Sequence, residues 1–162
     1  MSGLIWFVAH TRPRCEKKLV EFCEREKIPA TLPLSRSVRA YRGKKVVFHN
    51  PLFPGYVFLR LAPGEKSRIF QSDHIANLLE VVEQELFAGQ LCAILAALQT
   101  DMEIRLAPGI GSGARVIIKR GPLQGVEGVV ETRHGVSTVL LRLDFIGQAA
   151  AVKIDAVDLE LI

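Results

Sequence analysis

Between Ala107 and Gly113 the chain reads Ala-Pro-Gly-Ile-Gly-Ser-Gly, a run with almost no side chain able to pack. Composition of this kind makes a linker. It cuts the 162 residues into about 105 on one side and about 50 on the other, enough for two small domains. The chain is 49% hydrophobic and 23% charged, so both parts can build cores, which excludes a disordered or collagen-like protein. No apolar run approaches the roughly 18 residues that cross a bilayer. The opening Met-Ser-Gly-Leu-Ile-Trp has no basic segment before its apolar run, so no secretory leader is expected. Three cysteines are too few for a disulfide scaffold. The expectation is a soluble, cytoplasmic protein with no membrane segment, acting as a monomer.

The two sides differ in periodicity. On the first, Leu4 to His10 is short and rich in aromatic and branched residues, so it predicts a strand. Thr11 and Pro13 supply a helix start, a capping hydroxyl with a proline in the first turn. From Arg14 to Lys27, Cys15, Leu19, Phe22 and Cys23 line one face of a helix. Val38–Tyr41 and Val46–Phe48 flank Arg42-Gly43-Lys44 as a basic hairpin. The prolines of Pro51-Leu52-Phe53-Pro54-Gly55 stiffen a turn before the strand Tyr56–Leu61. Alternation puts Val57, Leu59 and Leu61 on one face and Tyr56, Phe58 and Arg60 on the other. The aliphatic face belongs against helices; the second suits an open surface or a partner. A short helix over Gly64–Ser72, a strand over Leu78–Val82 and a helix over Ala88–Met102 complete an α+β layer with one sheet face covered.

On the second side no segment has helical periodicity. Short strands at Arg115–Ile118, Val126–Glu131, Val136–Leu143, Ala149–Ile154 and Val157–Leu161 are separated by glycine-containing turns, which predicts a five-stranded barrel. The expected domains are therefore 1–104 and 114–162, with 105–113 between them.

Charge divides the same way. Up to Arg105 there are 15 basic and 11 acidic residues; beyond it there are 6 of each. No Asp or Glu occurs between Glu26 and Glu65, a stretch holding Lys27, Arg36, Arg39, Arg42, Lys44, Lys45 and Arg60. Such a strip is a contact for polyanion or an acidic protein face, or else a solvated hairpin arm; the residues leave both open. Catalytic chemistry finds no footing. Cys15 and Cys23 are two helical turns apart, about 12 Å and too far for a disulfide, and with Cys92 they are expected to be buried thiols. His10, His49, His74 and His134 lack ligand spacing, and no phosphate loop or nucleophile elbow is present. No enzyme, metal or cofactor is expected.

Two motifs carry a resemblance. Val116-Ile-Ile-Lys-Arg-Gly-Pro-Leu-Gln-Gly-Val-Glu-Gly-Val-Val130 keeps whole the Gly-Pro-x-x-Gly-x-x-Gly-x-Val spacing and resembles the KOW motif of SH3-like barrels in transcription and ribosomal proteins. In the first part, Trp6-Phe7-Val8 and Asn50-Pro-Leu-Phe-Pro-Gly-Tyr-Val-Phe58 resemble the opening strand and signature of the N-terminal (NGN) domain of the NusG family of transcription elongation factors. The order and lengths of both parts agree, so the resemblance covers nearly the whole chain.

The resemblance implies a non-enzymatic factor. Its first domain would bind the clamp helices of the largest RNA polymerase subunit, through a patch including His10, Phe53, Tyr56 and Phe58, and so reduce pausing. Its barrel would recruit a small-subunit ribosomal protein or the termination factor Rho through the apolar tip Ile146; a buried loop plug is the other reading of Ile146. Ser72–Leu78 lacks the glycine-containing turn of the housekeeping factor and the barrel is compact, which resembles the specialised RfaH-like paralogues that act as antiterminators. Carried over by position, Arg12 and Lys18, with Arg14 close by, would touch the displaced non-template DNA strand; from the charge strip, Arg39, Arg42 and Lys44 would add contacts to DNA in the elongation complex. Asp73-His74 stands where that branch presents an arginine, so phosphate contact is expected without sequence reading. With glycines at 121, 125, 128 and 147, each costing about 1 kcal/mol in a helix interior, the second domain is expected to stay a barrel instead of refolding as helices. The competing reading of the whole chain is a ribosome-associated or general RNA-binding KOW protein, against which the neutral barrel argues; an adaptor binding only protein is a third.

Overall fold

The structure, a computed structural model, describes residues 3–107, 113–133 and 136–162. Its elements are β1 (Ile5–Thr11), α1 (Glu16–Arg25), β2 (Ala30–Thr31), β3 (Leu34–Tyr41), β4 (Lys44–Pro51), β5 (Tyr56–Leu61), α2 (Lys66–Ile69), β6 (Ile75–Glu80), α3 (Gln84–Leu98), β7 (Ile104–Ala107), β8 (Arg115–Ile118), β9 (Glu127–Arg133), β10 (Val136–Leu143), β11 (Gln148–Lys153) and β12 (Leu159–Leu161). They group into two compact units, Met1–Pro33 with Phe53–Glu85, and Leu34–Leu52 with Leu86–Ile162. No helix among the described residues is long and apolar enough to cross a membrane.

The first unit is an antiparallel sheet in the order β2-β5-β1-β6. As alternation dictates, Phe7 and Ala9 of β1 share one buried face with Val57, Leu59 and Leu61 of β5. Leu19 and Cys23 of α1 and Ile69 of α2 close over it. Each large side chain here contributes about 1.5–3 kcal/mol by leaving water. The helix start differs from expectation. Thr11 ends β1 instead of capping α1, its amide donating to the Gly55 carbonyl at 2.9 Å. Its hydroxyl is buried without a hydrogen-bond partner. Arg14 turns the chain at φ +62° and α1 begins at Glu16 with no side-chain cap. The strand outcompetes the cap because Thr11 still has pairing partners on β6.

The second unit holds the β3–β4 hairpin and a six-stranded sheet in the order β12-β8-β9-β10-β11-β7. Val129, Leu140 and Ala149 form its core with Ala107. The glycines of the motif divide their work. Gly121 and Gly125 sit at φ +90° and +89° in the turn after β8, a conformation glycine adopts without steric cost. Gly128 is needed for space: a Cβ there would lie 2.5 Å from Val139 Cγ1 and 2.9 Å from the Leu140 carbonyl oxygen.

The stretch read as a linker starts as structure. Ile104–Ala107 is a strand paired with β11, Ala107 opposite Ala149. The second sheet thus begins at Ile104, because buried Ile104 and Ala107 give this segment a face to pack. Residues 108–112, most of the expected linker, lie outside the described residues, as do His134 and Gly135. The hairpin runs longer than expected, with eight pairs from Leu34–Pro51 to Tyr41–Lys44. Helix α3 starts earlier and ends at Leu98, short of Met102.

Candidate functional site

The Phe53–Tyr56 turn builds one end of the first unit's sheet. Gly55 takes φ +88°, and its amide donates to Glu16 Oε2 at 3.0 Å. Glu16 is buried at the start of α1, so the turn is tied to helix and strand at once. This delivers Tyr56 opposite His10 of β1. The two rings stack with centroids 5.2 Å apart and planes 16° from parallel. The His10 ring also lies over Gly55, where any Cβ would come within 3.5 Å of it. His10 is exposed and Tyr56 half-buried, so the stacked pair is presented at the surface.

Two members of the expected apolar patch are not presented. Phe53 is 1% exposed and Phe58 0%, and their rings meet edge to face at 6.3 Å. The second face of the sheet is therefore covered at its centre, not open as alternation suggested. Part of the reason lies in the turn, which folds Phe53 against Phe58. Phe53 and Phe58 are therefore buried, and of the four expected patch residues His10 and Tyr56 reach the surface.

The candidate cations fall into two groups. Arg12, Arg14 and Lys18 are exposed in the first unit. The Arg12 amide donates to the His74 carbonyl at 2.9 Å, which fixes that loop beside the 72–74 turn. Arg39, Arg42 and Lys44 are exposed on the hairpin of the second unit, with Arg42 and Gly43 at φ +50° and +78° forming its two-residue turn. The Arg39 guanidinium lies 5.9 Å over the Phe48 ring. Arg36 instead approaches Asp101 at 3.9 Å.

Ile146 is half-buried in a short turn, Asp144–Ile146, closed by Gly147 at φ +66°. Its neighbours are held by α3. The Asp144 carboxylate accepts from Gln90 Nε2 at 3.0 Å and from Arg142 Nε at 2.8 Å, while the Asp144 amide donates to Gln90 Oε1 at 2.9 Å. Phe145 meets Phe87 edge to face at 6.3 Å. Nothing in the sequence singles out Gln90, since a glutamine on a helix has no partner until the fold supplies one.

Cys23 lies on the buried face of α1. Burial, reinforced by the neighbouring Glu24 charge, raises its thiol to about 11. Of the three cysteines expected to be buried, Cys23 alone is; Cys15 is half-buried and Cys92 exposed, because Cys92 falls off the face of α3 that carries Phe87, Leu91 and Ile94. Among the described residues no three His, Cys, Asp or Glu side chains converge as a metal site.

An antiparallel sheet layered with helices is thus followed in the chain by a glycine-turned all-β region, and a Pro-Gly turn sets the His10–Tyr56 pair at the first sheet's end. The family described as "Transcription termination factor nusG" matches residues 4–90, more than half of the chain. The protein belongs to the NusG family, with an NGN domain and a C-terminal region consistent with a KOW barrel. No curated protein sequence matches it. Among solved structures it is similar to the crystal structure of an MjSpt4:Spt5 complex, conformation B, at 17% identity and a TM-score of 0.30 over 98% of this chain and 97% of that one.

Proposed function

We propose that this NusG-family protein is an elongation and antitermination factor of the RfaH-like kind. Residues 1–104 hold the clamp helices of the largest RNA polymerase subunit, and residues 114–162 recruit a small-subunit ribosomal protein or Rho. The observation that carries the polymerase contact is the exposed His10–Tyr56 stack, built by the same Asn50–Phe58 segment that resembles the family signature. An aromatic pair on a rigid sheet loses little conformational freedom on binding, which suits it to anchor an interface. Arg12, Arg14, Lys18, Arg39, Arg42 and Lys44 supply the charge for the non-template DNA strand. The factor works by binding alone, without catalysis or cofactor.

Pull-down of a clamp-helix fragment by the full chain tests this reading. Tyr56→Ala with His10→Ala is expected to weaken capture by about thirtyfold or more, the size of loss at an interface anchor. Capture unchanged by the double variant removes the polymerase contact from this surface. Phe53 and Phe58 are poor probes, because truncating a buried aromatic costs about 3–5 kcal/mol of stability and would lower capture through the fold itself.

A further inference from the structure

Strand β11 reads Gln-Ala-Ala-Ala-Val-Lys from Gln148 to Lys153. Three successive alanines are an unusual choice for a strand, where branched and aromatic residues are favoured, and β8 and β10 of the same sheet use branched and larger apolar residues. One edge of β11 is held by β10 in six pairs, from Thr138–Lys153 to Leu143–Gln148. The other edge carries β7 in four, from Ile104–Val152 to Ala107–Ala149. Strand β7 ends the sheet, and its side chains grip little. Ile104 and Ala107 are buried, whereas Arg105 and Leu106 are exposed. Three of the four residues opposite it are alanines. Glu103, just before β7, reaches Lys153 at 3.7 Å, but both side chains are more than half exposed, and such a pair contributes little. What holds β7 is therefore chiefly the backbone ladder, which any extended chain can supply. Strands β8 to β12 have a core without it, since Val116, Ile118, Leu123, Val139, Leu141 and Leu143 are all buried.

We infer that β7 is a removable cover: it closes the outer edge of β11 until an extended segment of a partner protein takes its place, pairing antiparallel with Gln148–Lys153. The inference rests on the reading of residues 114–162 as the recruiting part and adds how recruitment is controlled. A bare strand edge displays unpaired N–H and C=O groups and is a template for another chain, and strand addition is a general way to bind an extended peptide. Strand β7 itself shows what chemistry fits. The partner segment carries an apolar residue opposite Val152 and a small one opposite Ala149, where the site closes against Val129 and Leu140. It also carries a carboxylate within reach of Lys153. Between these points the alanines leave room for larger side chains. The edge starts one residue after the Asp144–Ile146 turn and its Gly147, so an added strand lies beside Ile146. Because β7 belongs to the same chain, it faces the edge at a high effective concentration. A chance strand loses to it, and a partner wins only through contacts that β7 lacks.

Fluorescence anisotropy with the full chain tests the inference, using a labelled peptide that copies residues 101–107, Asp-Met-Glu-Ile-Arg-Leu-Ala. The assay contains no polymerase and no recruited partner, so the recruiting role could fail while strand exchange succeeds, and the reverse. Ile104→Asp puts a carboxylate at a buried position and should free β7 from the edge. That variant is expected to bind the peptide about tenfold or more tightly than the parent, whose own β7 competes. Ala107→Asp should act in the same way. The peptide carrying Ile104→Asp should lose its binding to both variants. Hydrogen exchange on each variant should show lost protection at 104–107, unchanged protection in β8 and β10, and recovery in β11 when the peptide is added. Equal binding by parent and variants overturns the inference, as does no binding by a variant whose β8 and β10 remain protected. Loss of protection across 114–162 in both variants overturns it too, because β7 is then an integral strand and not a cover.

Discussion

Strands β4 and β5 lie five residues apart in sequence and share the vocabulary of Val and Phe, yet they meet opposite fates. In β5, Val57, Phe58 and Leu59 are all fully buried. In β4, every residue from Lys44 to Asn50 is exposed, Val46, Val47 and Phe48 included. The difference lies in neighbours. Strand β5 pairs on both edges, with β1 and β2, and packs under helices. Among the described residues, strand β4 pairs with β3 alone, in a two-stranded sheet. Apolar composition thus sets what a strand could bury, and the number of layers around it sets what it does bury. A two-stranded ribbon has too little surface to hide its own side chains, so an apolar residue there is available for binding.

The largest expected effect that could break this comparison is on stability. Phe58→Ala should cost about 3–5 kcal/mol in denaturant unfolding, since it empties a closed site. Phe48→Ala should cost about 0.5 kcal/mol or less. Similar losses for the two would mean that the hairpin is buried in solution.

Glycines sharpen the contrast at a smaller scale. Gly128→Ala forces a methyl against Val139 and the Leu140 carbonyl, and overpacking of this kind costs about 1–3 kcal/mol. Gly43→Ala in the hairpin turn meets nothing within 4 Å and bears only the strain of its φ of +78°, about 1–2 kcal/mol. Thermal unfolding of the two variants should rank Gly128→Ala as the more harmful; the reverse order would show that the sheet yields around the added methyl.

The smallest effect is chemical. A thiol reagent at pH 8 should label exposed Cys92 quickly and buried Cys23 only on unfolding, because the reactive thiolate is scarce at Cys23. The folded thiol has the higher pKa, about 11 against the ordinary 9.0. The stabilisation it provides is therefore complete below pH 9 and is lost as pH climbs toward 11. Alkaline unfolding of Cys23→Ala should lack that component. A Cys23 labelled as fast as Cys92 in the folded protein would show that α1 opens readily.

Much of the fold is legible in the residues. The β5 boundaries, the aliphatic face of Val57, Leu59 and Leu61, and the five short strands after 113 follow from period and turn chemistry. Other features were hidden for physical reasons. Thr11 has the chemistry of a cap, and only its pairing with β6 and Gly55 makes it a strand end. Ile104–Ala107 is too short to show a period, and only β11 gives it a role. The candidate site divides likewise. The cations on the hairpin were visible as a charge run, and Tyr56 as an aromatic on the second face. That Phe53 and Phe58 lie beneath the surface, while His10 stacks on Tyr56, depends on how the Pro-Gly turn folds back.

The sequence by itself determined the alternation of each strand, the glycines its turns demand, and the sign of charge along each stretch, because these are properties of near neighbours. Only the tertiary structure decided which faces are covered, which rings remain open, and that Gln90 holds the turn beside Ile146. Those depend on residues far apart in the chain, and on the space and hydrogen-bonding partners that exist once they meet.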